Sequence, residues 1–275
     1  MPTGRYDIII IGSGAGGGTL AHALANTSAN ILIIERGDFV PQEVENWDPE
    51  AVWKHLRYRT RETWLDHRGK SFLPYTHYCV GGNTKFWGSV LYRLRRQDFA
   101  EVEHVDGVSP AWPIDYDMLE PFYERAEQLY QVHGESGIDP TETLRTPFPH
   151  PSVSHSDEMI DCVEQLQQQG LHPSPLPLGL QRPGEEGGCI LCNTCNSFPC
   201  FRHAKSDADI CCVKPALRET NVTLWAAAEA RRLLTDASGR RVEAVEVMQQ
   251  GELRRVEAPL VIVSCGAVNS AALLL

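Results

Sequence analysis

Asp7-Ile8-Ile9-Ile10-Ile11-Gly12-Ser13-Gly14-Ala15-Gly16-Gly17-Gly18, followed by Ile31-Leu32-Ile33-Ile34-Glu35, is the stretch that decides the fold of this chain. The β-branched run from Ile8 to Ile11 reads as a buried parallel strand. It leads into Gly12-x-Gly14-x-x-Gly17, and the small residues from Thr19 to Ala25 suit a helix. The second apolar run ends on an acid, Glu35, eighteen residues after Gly17. Each part has a physical task. Gly12 permits the tight turn, Gly14 lets bare backbone approach a pyrophosphate, and Gly17 allows the helix to pack closely on the strand. The helix N-terminus presents unpaired N–H groups and a positive dipole end to phosphate oxygens. Ser13 and Ala15 share that loop, and Arg36 follows the acid. Glu35 is placed to accept hydrogen bonds from adenosine ribose hydroxyls and to repel a 2′-phosphate, which argues against NADP. A glycine-rich turn in an ordinary α/β protein would not need strand, glycines, helix, strand and acid in register.

The bulk numbers narrow the classes of function. With 275 residues, 42% hydrophobic and 22% charged, the chain has material for one large domain or two modest ones. A net charge of −11 speaks against nucleic acid or an anionic membrane as the main partner, because both need a basic face. No apolar run reaches the length of a membrane span. The first strand follows Met1 within a few residues, leaving no room for a signal peptide, so the cytoplasm is the expected location. Nine cysteines fit that setting as free thiols or metal ligands better than as a disulfide framework.

Beyond the opening unit, Asn46 to Tyr78 is rich in aromatic and basic residues and reads as short helices and loops. Val80-Gly81-Gly82-Asn83-Thr84-Lys85-Phe86-Trp87-Gly88 is a loop that exposes backbone, although Gly81-Gly82 alone would also suit a plain turn. Asp115 is placed to cap a helix, and Pro121 to open a second helical segment. Leu119, Phe122, Tyr123, Ala126, Leu129 and Tyr130 recur at helical spacing and read as a core-packing stripe. From Gly134 to Pro183, proline, glycine, serine and histidine dominate, broken by one expected helix from Asp157 to Gln169. The α/β pattern then returns. Val222 to Trp225 reads as a strand, Val242–Met248 and Leu253–Glu257 as a hairpin, and Leu260–Ser264 as a final buried strand entering Cys265-Gly266-Ala267 and a helix from Asn269. The expected organisation is an α/β, Rossmann-like FAD-binding domain in two parts, residues 1–105 and 207–275. Between them lies an inserted helical and irregular subdomain, 106–206.

These pieces together resemble the glucose–methanol–choline family of FAD-dependent oxidoreductases, in the branch of pyranose oxidases and sugar dehydrogenases. The matching residues are the βαβ unit ending in Glu35-Arg36-Gly37, the Val80–Gly88 loop with Leu91-Tyr92-Arg93, Ala111-Trp112-Pro113-Ile114, and Val261-Ile262-Val263-Ser264-Cys265-Gly266-Ala267. The resemblance spans essentially the whole chain. It implies removal of a hydride from a CH–OH carbon of a sugar or alcohol to FAD, with a base taking the hydroxyl proton. It implies that Gly12, Gly14, Gly17 and Glu35 hold the ADP part. Gly81, Gly82, Asn83, Thr84, Trp87 and Gly88 would lie by the pyrophosphate, ribityl chain or flavin ring, with Ala230 and Gly266 at the adenine and flavin edges. Some relatives hold FAD covalently through a histidine in this loop; here Phe86 stands at that place, so FAD is expected to be non-covalent. Family members run to about twice this length, and their second half carries the catalytic histidine and its partner. None of the ten histidines here matches that pair, so the catalytic residues are unassigned. The chain is expected to be an N-terminal half, inactive alone, or to be completed by a companion polypeptide. The electron acceptor is not specified.

Cys189-x2-Cys192-x2-Cys195-x4-Cys200 lies close to a bacterial ferredoxin spacing and could hold an iron–sulfur cluster. A zinc site or a thiol-rich structural loop, with or without disulfides, are the alternatives. Cys211-Cys212 read as reinforcement of that loop or as small buried hydrophobes, and Cys79, Cys162 and Cys265 as core residues. An NAD-linked dehydrogenase would share the opening motif, but would leave the Gly81–Gly88 loop and the Ser264-Cys265-Gly266 segment without a purpose. A non-catalytic dinucleotide-binding module is the remaining reading.

Overall fold

The computed structural model describes residues 5–143, 145–192 and 194–275. The expectation about a leader rests on Met1 to Gly4 and lies outside them. The chain divides into two compact units, one of residues 1–88 and 192–275 and one of residues 89–191. These boundaries differ from the expected ones at 105 and 206. The segment 192–206 carries the cysteine-rich composition of an insertion, yet its backbone bonds to the first unit: Ser197 N–H donates to Phe86 O at 2.7 Å.

The first unit is built on a four-stranded parallel sheet. Its strands are β1 (Ile8–Ile11), β2 (Ile31–Ile34), β3 (Val222–Trp225) and β4 (Leu260–Val263), in spatial order β3-β2-β1-β4. Ile8 stands beside Ile31 on one side and Leu260 on the other. Runs of β-branched residues suit this arrangement because both faces are covered. Ile9, Ile11, Leu32 and Ile34 pack on Ala228, Val245 and Val247. Ile10, Ile31 and Ile33 face the other way, onto Ala21 and Ala25 at helix α1 (Ala15–Leu24) and onto Ala216. This is the Rossmann-like architecture, with α1 as the crossover between β1 and β2. The first of those two faces is roofed by an antiparallel sheet of Ala228–Thr235, Val242–Gln249 and Glu252–Val256, of which only the last two strands were expected. A second terminal helix, α2 (Ala267–Leu274), follows β4 and starts two residues before the expected Asn269.

The second unit carries two long helices. Asp115 caps Tyr116–Leu129 by accepting from Met118 N–H at 2.9 Å. Contrary to expectation, Pro121 opens no new segment; the helix runs through it. The apolar stripe is a core only in part: Tyr130 is buried. Phe122 is 60% exposed, and the helix buries Tyr116 and Glu127. Arg93 grips Glu127 through Nε and Nη2, both at 2.8 Å, and Arg145 also bonds it. The second helix, Asp157–Gln168, buries no residue, and Cys162 on it is exposed rather than in a core. Among the described residues no helix is long and apolar enough to cross a membrane.

Candidate dinucleotide site

The C-terminal ends of β1, β2 and β4 open into a cavity of about 780 Å³. Ligands of open parallel sheets bind at this edge. Steric detail explains the glycines. A Cβ on Gly12, whose φ is +102°, would stand 2.4 Å from Ser264 O, and one on Gly17 would stand 1.9 Å from Gly12 O. Only glycine lets β4 pass the first turn and α1 sit against it. Gly14 faces the second glycine loop, because a Cβ on Gly82 would lie 3.1 Å from Gly14 Cα. Two bare backbones, 68 residues apart in sequence, thus form opposing walls. Gly81 and Gly82 both take positive φ, +89° and +58°.

Ser13 and Glu35 link these walls. Glu35 Oε2 accepts from Ser13 N–H at 3.1 Å and Ser13 Oγ at 2.7 Å, and its Oε1 accepts from Gly37 N–H at 3.0 Å. Ser13 Oγ in turn accepts from Gly81 N–H at 3.1 Å. Burial pushes the Glu35 carboxyl up, and the bonds from Gly37 and Ser13 and the charge of Arg36 oppose that shift. The acid expected to meet a ribose therefore also braces the glycine loop. Arg36 lies with its guanidinium 3.7 Å from the Tyr78 ring centroid and pairs with Glu62 at 3.0 Å and Glu229 at 3.2 Å. Glu35, Glu62 and Glu229 outnumber Arg36 and Arg231 along this wall, a balance that disfavours a ligand with an additional phosphate.

Of the residues anticipated from sequence, Gly12, Gly14, Ala15, Glu35, Arg36, Gly82, Asn83, Thr84, Ala230 and Gly266 line the cavity. Ser13, Gly17 and Gly81 stand behind the wall, the first and third in the hydrogen-bond chain just described. Trp87 and Gly88 do not line it; Gly88 instead packs toward Asn196. Sequence reasoning missed His77, which lines the same cavity. Its ring stacks on Phe86 at 3.7 Å, nearly parallel at 10°; its backbone N–H donates to Asn83 Oδ1 at 2.9 Å, and its ring Nδ1 lies 3.3 Å from the same oxygen. Burial, with Arg59 nearby, pulls the imidazole down to about 4 against the bond with Asn83, so it is neutral at physiological pH. The signal available was modest: an aromatic-rich segment just ahead of the paired glycines.

The cysteine set gains no support as a metal site. Among the described residues, no three His, Cys, Asp or Glu side chains gather to hold a metal ion, and the nine cysteines form no disulfide. The sulfurs turn to local partners. Cys189 Sγ accepts from Leu191 N–H at 3.4 Å, Cys192 Sγ lies 3.0 Å from Thr194 Oγ1, and Cys200 Sγ accepts from Ala204 N–H at 3.3 Å. Leu191, Ser197 and His203 all take positive φ. Cys211 and Cys212 are buried.

A Rossmann-like sheet edge walled by two glycine loops defines a dinucleotide-binding protein, and the comparisons give its family. The chain belongs to the GMC oxidoreductase family, whose N-terminal domain matches residues 6–275. It is 32% identical over 280 residues to the 6'''-hydroxyparomomycin C oxidase of Streptomyces lividus, covering 98% of this chain and 50% of that protein. To the paromamine 6'-oxidase of Streptomyces fradiae it is 30% identical over 277 residues, covering 98% and 49%. The crystal structure of pyridoxine 4-oxidase from Mesorbium loti superposes with a TM-score of 0.64 at 20% identity, over 98% of this chain and 51% of that one. The chain thus spans about half the length of the relatives it matches.

Proposed function

We propose that these residues form the FAD-binding half of an oxidoreductase that oxidises a CH–OH group of a sugar or alcohol. The observation that carries this reading is the meeting of three backbone-exposing elements on one cavity: Gly12–Gly17 from β1, Gly81–Gly82 from the following loop, and Gly266 after β4. A mononucleotide needs one such approach, whereas a flavin dinucleotide needs bare backbone at its pyrophosphate and again nearer its ring. Glycine at 12, 17 and 82, where a Cβ would strike neighbouring backbone, lets these elements close around the cavity, and the backbone of Gly12, Gly14, Gly82 and Gly266 lines it.

The chain's own residues would act as follows. N–H groups at the start of α1 hold the pyrophosphate. Glu35 accepts from the ribose with the carboxylate lone pairs that Ser13 and Gly37 leave free. Arg36, fixed on Tyr78 and between Glu62 and Glu229, borders the adenosine end. Asn83, held by His77 N–H, and Thr84, whose Oγ1 donates to Gly81 O at 2.6 Å, shape the opposite wall. Bound FAD supplies the hydride acceptor. Phe86, 4% exposed and stacked on His77, offers no nucleophile, so the cofactor is held non-covalently. The base that takes the substrate proton comes from polypeptide outside the matched half, whether continuous with this chain or a companion. The names of the two Streptomyces relatives favour a hydroxyl-bearing sugar-like substrate.

The test is dye reduction with a panel of sugars and alcohols. The chain mixed with companion polypeptide from its source should reduce dye when FAD is present, and the chain alone should not. Substrate-dependent reduction that needs NAD instead of FAD would sink the flavin reading.

A further inference from the structure

Behind the Gly81–Gly88 loop lies a lysine that the nucleotide chemistry does not use. Lys205 is 1% exposed, among the largest fully buried side chains of the protein. Its Nζ donates to four backbone carbonyls: Lys85 O at 3.1 Å, Trp87 O at 2.8 Å, Cys195 O at 2.6 Å and Phe198 O at 2.7 Å. Two belong to the glycine loop and two to the cysteine-bearing segment. A buried ammonium is costly unless its protons are satisfied, and here four oxygens surround three protons. Removing it would take a shared donor from four carbonyls, of which Cys195 O keeps the Phe198 N–H at 3.4 Å.

The neighbouring contacts show what the grip controls. Lys85 itself points into a buried pair of carboxylates, 3.2 Å from Asp207 and 3.0 Å from Asp209. Although burial opposes it, those two acids hold the Lys85 ammonium above its ordinary value. Ala208 N–H donates to Thr84 Oγ1 at 3.0 Å, and that hydroxyl bonds Gly81 O. The short segment 205–209 thus holds the glycine loop at residues 84, 85 and 87. Gly82, Asn83 and Thr84, which this arrangement leaves facing outward, are the residues that line the cavity.

We propose that Lys205 is a positioning residue of the cofactor site: its four-carbonyl grip fixes the Gly81–Gly88 loop in the conformation that receives the flavin side of FAD. This rests on the FAD reading above. Lysine suits the task better than arginine, since a compact ammonium with three diverging donors fits a ring of carbonyls and a planar fork does not. The other end of the cavity, around Glu35 and Arg36, receives no bond from Lys205.

That asymmetry gives the test. FAD and AMP are titrated separately into flavin-stripped wild type, K205M and K205R, with folding of each checked by far-UV circular dichroism. FAD affinity should fall by about tenfold or more in K205M, and the absorption bands of bound flavin should lose their fine structure. AMP affinity, which reports the Glu35 end and touches the loop only through the Gly81–Ser13 bond, should stay within about twofold of wild type. K205R should lie between the two for FAD. Unchanged FAD affinity in folded K205M, or equal losses for FAD and AMP, would overturn the proposal and leave Lys205 as a core staple. Should K205M not fold, K205Q, which keeps two N–H donors, is read by the same criteria; failure of both to fold would also overturn it. Wild type that binds AMP but no FAD would instead overturn the cofactor reading on which the proposal rests.

Discussion

The first unit contains the strand–glycine–helix motif twice, and the two copies are packed very differently. β1, Gly12 and α1 form one copy; β4, Gly266 and α2 form the other, lying beside the first in parallel register. In the first copy Ile9 and Ile10 are fully buried, and α1 buries Gly17, Gly18 and Ala21. In the second, Leu260 is 50% exposed and α2 buries no residue. Gly12 and Gly266 both take positive φ, yet a Cβ on Gly266 would meet nothing within 4 Å. Steric exclusion therefore fixes the first glycine, and backbone conformation alone fixes the second. The first copy has buried residues in both its strand and its helix; among the described residues, β4 and α2 have none.

Substitutions that treat the two copies alike should have unlike effects. The largest contrast is in the strands. Ile10→Ala should lower stability by about 4 kcal/mol, whereas Ile262→Ala, at a half-buried position, should cost roughly 1 kcal/mol, both read by urea unfolding. Equal losses would mean that β4 is as well covered as β1. Next comes Gly17→Ala, whose Cβ would collide with Gly12 O. It should cost about 3 kcal/mol and weaken nucleotide binding, because α1 must move off β1. A third effect comes from His77 on the wall facing both copies. Its imidazole stays neutral in the fold down to about 4, below its ordinary 6.5. As pH falls through about 6.5 the unfolded chain takes up a proton that the folded chain refuses, so stability declines from there toward pH 4 and is flat above. The decline should be on the order of 2 kcal/mol, and His77→Phe, which keeps the stack on Phe86, should remove it. The smallest effect is that of Gly266→Ala, about 1 kcal/mol from φ strain without collision. A loss as large as that of Gly17→Ala would show that the second copy is sterically closed after all.

The same contrast explains what was legible in the sequence. The first copy announces itself because every constraint is local: alternating isoleucines buried on both faces, glycines at fixed offsets, and an acid at the end of β2. The apolar run of β4 gave its place and extent, but the burial expected of it is not seen: none of Leu260–Val263 is fully buried. The strand Ala228–Thr235 was not legible, because its register shifts between Ala230 and Arg232 and the alternation of apolar and polar residues breaks there. Only Ala230, at the cavity, was anticipated. The helix over Pro121 was misread because the helix Tyr116–Leu129 runs on although the proline, sixth in it, forgoes the bond to Asp117 O. Its apolar stripe misled because Glu127, paired with Arg93 and Arg145, took the buried place. The cysteine spacing suggested a cluster, but spacing alone does not say which sulfurs gather, and among the described residues no three potential ligands do. Lys205 carried no signal, since a lysine among small polar residues normally reads as solvated. Its role depends on four carbonyls that only the folded chain assembles.

The central claim is that this cavity holds FAD without a covalent bond. It is tested most directly by saturating the folded chain with FAD, removing the excess, precipitating the protein with acid and measuring flavin in the pellet and the supernatant. The account predicts about one flavin per chain before precipitation and all of it in the supernatant afterwards. A folded chain that retains no flavin, or flavin that stays with the pellet, would contradict it.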